Sequence, residues 1–270
     1  MNEAISQTIR DTVTRSFDQN KPLEQIYKKV RTGTATYEDA HRFAIELANI
    51  MVDQLRGYAE DINGDTLSGY LLEELLTKHG RLTALVCESV QKTLNDAAGI
   101  GLNPVVPAIN TERIAGVVKA MGNAEEGAVA FAVVEEPFKT CALSHVDEWV
   151  RTNADFQQRA GMEPWATREY EGMHRDTKTG KMRDCEYCKG LAYDGTYSKR
   201  PDEFFVRHLG CKCTVMYYPN KMAKGRITAL AKGEADTDAV LWNTGLELSQ
   251  SRNAVLRRRR KKYGKEEARK

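Results

Sequence analysis

The sequence predicts an α+β protein: a multi-helix N-terminal domain over residues 1–160, a small zinc-knuckle, β-rich module over 161–219, and an extended basic tail over 220–270. Three observations carry that expectation. Apolar residues recur at helical spacing through the first domain. Four of the six cysteines and one of the five histidines fall between Cys185 and Cys213. Basic residues then crowd the end of the chain.

The helices follow one another in order. Ile5, Ile9, Val13 and Phe17 make one stripe of an amphipathic helix. Pro22 can open a second helix carrying Leu23, Ile26, Tyr27 and Val30, which Gly33 ends. Thr36 and Asp39 form a T-x-x-D capping signature ahead of Ala40, Phe43, Ala44, Leu47, Met51 and Leu55. Asn63-Gly64-Asp65 marks a turn. Two apolar stretches follow, Leu71 to Leu76 and Leu82 to Leu94, with Gly80 between them. Gly99 to Pro107, with two prolines and two glycines, reads as a linker or extended crossing. Thr111 to Met121 is a short helix, and Gly127 to Trp149 a buried one kinked near Pro137. These stripes are core faces. His41, His79 and Cys87 lie in helical context and read as packing or surface residues.

The texture changes after Gly161. Short segments rich in aromatics and Thr alternate loosely, and Asp176 to Gly180 looks like a hairpin turn. Two short strands, a knuckle at Cys185, a loop through Asp194-Gly195 and a short helix or turn around Pro201 to Phe205 follow. Thr214 to Tyr218 makes a final strand. His174, on the strand before the knuckle, reads as a surface residue or a spare ligand.

Cys185 and Cys188 form a C-x-x-C pair, which can offer two sulfurs to one ion from a tight turn. His208, Cys211 and Cys213 follow as H-x-x-C-x-C. A pair, a loop and a second cluster of soft ligands is the spacing of a tetrahedral zinc site. Disulfides and inert thiols are the competing readings. The close pairing and the absence of a secretory signal at Met1 favour the metal. Cys185 and Cys188 with two of His208, Cys211 and Cys213 would fill a four-ligand shell. That leaves no open position for water, so the zinc is expected to be structural rather than catalytic.

No run approaches the ~18 apolar residues of a membrane span, and no membrane contact is expected. From Arg252 to Lys270 ten Lys and Arg against two Glu give +8, which leaves −6 for everything before in a chain of formal net charge +2. Within that tail, Arg257, Arg258, Arg259, Arg260, Lys261 and Lys262 form an unbroken basic run. Such a run attracts phosphates by counterion release without reading sequence; its plainer role is to keep a terminus solvated. His145 and Asp147 give an H-x-D upstream of the C-x-x-C, a faint echo of zinc deaminases, which instead use H-x-E and P-C-x-x-C.

CEYCKGL…FFVRHLGCKCTVMYYP, following a helical region, resembles the minor head proteins of tailed bacteriophages related to the F protein of phage Mu. The likeness covers roughly residues 140–220 and rests on Cys185, Cys188, His208, Cys211 and Cys213. It implies a non-enzymatic, low-copy virion component inside the capsid near the portal, acting in head morphogenesis and in retention or delivery of the genome. The implied partners are the portal or major capsid protein and, through the basic tail, phage DNA. Before packaging the protein would lie in the host cytoplasm. Some relatives carry a toxin-like enzyme domain after this module, for which the segment after Pro219 is too short. The alternative expectation is a zinc-dependent nucleic-acid-binding protein or a His/Cys-type nuclease. For the nuclease, His174, Glu203 and His208 are the available acid–base groups.

Overall fold

Helix α1, Glu3–Asp18, begins where the Asn2 side chain accepts the Ile5 amide at 3.0 Å, and it buries Ile9 and Val13. The coordinates are those of a computed structural model, which describes residues 1–62, 66–123, 128–171, 173–175, 182–221 and 224. Helix α2, Lys21–Thr32, has Pro22 in its first turn and closes on Gly33 at φ 67°, a left-handed position that suits glycine. Thr36 and Asp39 form a reciprocal capping box for α3, Tyr37–Arg56. Its predicted stripe, from Ala40 through Phe43, Leu47 and Met51 to Leu55, is buried. Helix α3 is the hub of the helical layer: it packs against α1, α2, α4 and α6.

The two stretches flanking Gly80 form one helix, α4, Thr66–Ala97. Gly80 is a packing device within it, because a Cβ there would lie 3.1 Å from the His145 ring. Residues around Gly99 to Pro107 run without regular structure to α5, Thr111–Gly122, which Asn110 caps. The last long helix, α6, spans Ala128–Arg159 and continues through Pro137. It extends ten residues past the expected end at Trp149, since Val150, Asn153, Ala154 and Gln157 remain buried beyond it. Asn153 there bonds both the N–H and the C=O of Val105, at 2.8 and 2.9 Å, which fastens the irregular crossing to α6.

Strands begin with β1, Trp165–Glu169, the middle of a three-stranded antiparallel sheet in the order β4-β1-β5. Strands β2, Met173–Arg175, and β3, Met182–Asp184, pair as a hairpin, placing His174 opposite Arg183. The turn expected at Asp176 to Gly180 lies outside the described residues, as does the one at Asn63 to Asp65. A short helix, α7, Glu186–Gly190, precedes β4, Tyr193–Thr196. Here the structure corrects the expectation from sequence, because Asp194-Gly195 is strand rather than loop. Ala166 faces Gly195 and Thr167 faces Asp194 across the ladder. The turn preference of Asp-Gly is overridden by pairing with a central strand. The Asp194 carboxylate also accepts from Trp165 Nε1 at 2.5 Å and from Thr167 Oγ1 at 3.1 Å.

Strand β5, Thr214–Tyr218, is buried along its whole length and packs on α3 and α6. His41 of α3 reaches it directly, with Nε2 2.9 Å from the Val215 carbonyl. A second tie runs through polar side chains. Tyr217 donates to Gln157, whose amide donates to Asn95 at 2.9 Å; Gln91 donates to the same Asn95 oxygen, and Tyr37 donates to Gln91 at 2.7 Å. Buried amides joined in this way fix register between α3, α4, α6 and β5, because each would be costly to leave unpaired. Met1–Lys221 thus forms one compact unit. Among the described residues no helix is long and apolar enough to cross a membrane.

Candidate metal centre

Cys185 is the N-cap residue of α7, and its sulfur accepts the Cys188 amide at 3.4 Å. A single helical turn therefore points both thiols of the C-x-x-C the same way. The chain returns through β4 and the turns after Pro201 to His208. The Cys211 amide then donates to the His208 carbonyl at 3.1 Å, and Gly210 takes φ 73° to close that turn. Cys211 and Cys213 follow immediately before β5. The second cluster is thereby hung from the most deeply buried strand of the sheet.

The five predicted ligands gather in two overlapping groups. Cys185, Cys188 and His208 bring their ligand atoms within 4.8 Å of one another, as do Cys188, Cys211 and Cys213. Cys188 is common to both groups. Its sulfur is 3.7 Å from that of Cys211 and 3.0 Å from His208 Nε2, which is 3.2 Å from the Cys185 sulfur. A tetrahedral ion with Zn–S bonds of ~2.3 Å requires sulfur–sulfur edges of about 3.8 Å. The Cys188–Cys211 separation fits that edge. All six cysteines are free thiols, so disulfides are not the reading the structure supports.

His208 is oriented for coordination. Its Nδ1 stands 2.6 Å from the Leu209 carbonyl, which can only accept. Nδ1 therefore carries the proton, and the Nε2 lone pair faces the sulfurs. Metal-bound histidines are held this way by their other ring nitrogen. The Tyr187 ring stands edge-on to the imidazole, 6.2 Å between centroids, and its hydroxyl donates to Glu203 at 2.9 Å. Glu203, one of the acid–base groups considered for a nuclease, is engaged in that bond.

Two buried arginines face the cluster, and neither was foreseen from the sequence. Arg168 of β1 reaches the Cys211 sulfur at 3.7 Å, and Arg207 reaches it at 3.8 Å. Arg207 also donates to the Cys213 carbonyl at 2.8 Å and forms a two-pronged pair with Asp147 of α6. With no metal, a hydrogen bond from Cys213 and the two guanidiniums draw the Cys211 thiol down to about 4. Its hydrogen-bond partner Cys213 is pushed up, and burial raises Cys188 to about 11.

The faint H-x-D signal resolves differently from its deaminase precedent. Asp147 is the partner of Arg207, and His145 pairs with His79, Nδ1 to Nδ1 at 3.2 Å. Neither is in the cysteine cluster. His41 lies 3.8 Å from Asp147, and burial with the nearby Arg207 charge lowers its pKa to about 4, so it is neutral. Burial also raises the thiols of Cys87 and Cys141, which are inert core residues. The basic run Arg257 to Lys262 lies outside the described residues.

Fold and site together define an α+β protein with a buried cysteine–histidine cluster able to hold a metal ion. Compared with known protein families, with curated proteins and with solved structures, the chain matches none.

Proposed function

We propose that this chain is a structural minor head protein of a tailed bacteriophage, a non-enzymatic component of the capsid interior near the portal. In this reading the helices dock on the portal or the major capsid protein, and a zinc ion holds the module. The tail meets the packaged genome without sequence preference and helps retain or deliver it. The observation that carries the reading is the convergence of Cys185, Cys188, His208, Cys211 and Cys213, the residues on which the family resemblance rests. Their arrangement supports a structural ion. The five soft ligands form two groups of three that share Cys188, and four would close a tetrahedral shell.

When bound, zinc would cross-link α7 to the segment entering β5. Structural zinc binding is typically worth on the order of 10–16 kcal/mol, a large contribution for so small a module. The residues around it have mechanical roles. Leu209 orients His208, Gly210 allows the turn between His208 and Cys211, and β5 anchors the whole against α3 and α6.

The test is location. Purified phage particles should contain the protein at low copy, and it should co-purify with the portal. Its absence from particles, together with cleavage or specific binding of DNA by the free protein, would replace this reading with that of a zinc-dependent nucleic-acid protein.

A further inference from the structure

We propose that the cavity between α4, α5 and α6 binds a small hydroxycarboxylate, whose hydroxyl donates to His145 Nε2 and whose carboxylate pairs with Arg113. The site lies outside the cysteine–histidine cluster, and the inference goes beyond the role proposed for the chain.

The three helices pack on one another in pairs, and a cavity of about 130 Å³ is left between them. A cavity of roughly 150 Å³ takes benzene, so a ligand of about six non-hydrogen atoms has the right size. Ala84, Pro107, Trp149 and Phe205 supply an apolar wall, against which a short carbon chain can lie.

His145 lines this cavity and is 7% exposed. Its proton is placed from behind. The Ala44 carbonyl can only accept, so His79 carries its proton on Nε2, 2.8 Å away. His79 Nδ1 is then an acceptor, and His145 Nδ1, 3.2 Å from it, donates. Burial, then His79 and Arg113, hold the pKa of His145 down to about 3, so the ring is neutral at physiological pH. A neutral imidazole has one N–H, which leaves His145 Nε2 as a bare lone pair. That nitrogen is buried without a hydrogen-bond partner. Buried polar atoms are nearly always satisfied. Of the four that have no partner among the described residues, only the one on His145 belongs to a residue bordering this cavity. It calls for a ligand that brings its own donor.

The charges around the cavity say what else the ligand carries. Asp147 is engaged by Arg207, and Glu148 by Arg151 at 2.6 Å. Arg113 also lines the cavity, and its guanidinium makes no ion pair among the described residues. The first turn of α5, capped by Asn110, borders the same space, and its dipole adds to the attraction for an anion. One cation without a counter-charge suits a monoanion, and a carboxylate meets a guanidinium through two parallel hydrogen bonds. Acceptor, cation and apolar wall together describe a hydroxyl, a carboxylate and a short carbon chain. A fully deprotonated anion such as sulfate lacks the donor that Nε2 requires.

The experiment titrates the full chain at neutral pH with glycolate and lactate, and with acetate and propionate as the same anions without the hydroxyl. Binding is followed through the nitrogen-15 resonances of the histidine rings. At least one hydroxy acid should bind saturably and move His145 Nε2. Its deoxy counterpart should bind at least about tenfold more weakly, because it leaves unpaired a group placed to bond the hydroxyl. Arg113→Gln changes an exposed side chain and should leave the fold intact. It should weaken the hydroxy acid by about tenfold or more, and Arg113→Lys should recover part of that. No saturable binding of either hydroxy acid would overturn the proposal. So would equal binding of acid and deoxy acid, or an Arg113→Gln variant as tight as wild type. A shift at His208 alone would place the acid at the cysteine cluster and refute it as well.

Discussion

Arg207 lays one edge of its guanidinium along the carboxylate of Asp147, Nη2 donating to Oδ1 at 2.8 Å and Nε to Oδ2. The two side chains are 1% and 6% exposed. This pair joins α6 to the segment bearing His208, Cys211 and Cys213 of the cysteine–histidine cluster. It also lies beside His41, which holds β5 to α3. Asp147 is thus one of the residues through which the helical layer grips the module, with His41 and Gln157.

Asp147→Asn should therefore be costly. It leaves Arg207 buried without its counter-charge, and removing one partner of a buried ion pair typically costs about 3–5 kcal/mol. Urea unfolding should show a loss of that size, where an exposed pair such as Arg42–Glu38 should show less than about 1 kcal/mol. Equal small effects at both sites would mean that the Asp147 pair is solvated in solution.

Removing the metal should unfasten the module and spare most of the helices. The double variant Cys185→Ser, Cys188→Ser should lose about one zinc per chain. It should also lose the protease resistance of residues 182–219, while the far-UV helical signal changes little. That asymmetry is expected because α1 to α6 bury their own apolar faces, such as Phe43, Leu47 and Phe138. Burial of each large side chain is worth roughly 1.5–3 kcal/mol. Resistance unchanged in the metal-free variant would show that the sheet needs no ion.

Acid should weaken the fold through His79 and His145. The Ala44 carbonyl lies 2.8 Å from His79 Nε2 and so fixes a proton there, which leaves His79 Nδ1 to accept from His145. Thr83 and Arg113 are the other groups facing the pair. Burial lowers His79 to about 4; burial, then His79 and Arg113, lower His145 to about 3. Unfolded, both titrate near 6.5. The folded values being lower, the unfolded chain gains protons first as the pH drops. The stabilisation from keeping both rings neutral is complete above about 6.5 and is lost progressively down to between 4 and 3. Over that window the loss should be on the order of a few kcal/mol. His79→Gln should show a shallower fall in unfolding free energy between pH 7 and 4.5. An identical slope would mean that the rings are already protonated or open to water.

The basic tail makes a prediction independent of the module. Changing Arg257 to Lys262 to Gln should lower affinity for DNA of any sequence. It should also flatten the dependence of log K on log salt by up to about 0.9 for each phosphate that is no longer neutralised. An unchanged salt slope would remove DNA binding from the proposed role.

The amino-acid sequence alone determined the helical stripes, the Thr36–Asp39 capping box, the stop at Gly33, the irregular crossing after Gly99, the strand after Cys213 and the five cysteine and histidine residues that gather before it. These are local: a cap spans four residues, a stripe repeats every three or four, and a C-x-x-C acts within one turn. What only the tertiary structure decided involves groups far apart in the chain. Gly80 could break a helix or let two helices approach, and only the His145 ring shows which. Asp194-Gly195 became a strand because β1 lay alongside. Arg168 and Arg207 look like ordinary surface cations in sequence, and Asp147, which the sequence offers only as part of an H-x-D, pairs with Arg207 across 60 positions. A charge becomes informative only once it is buried, when water no longer compensates it and a particular partner must.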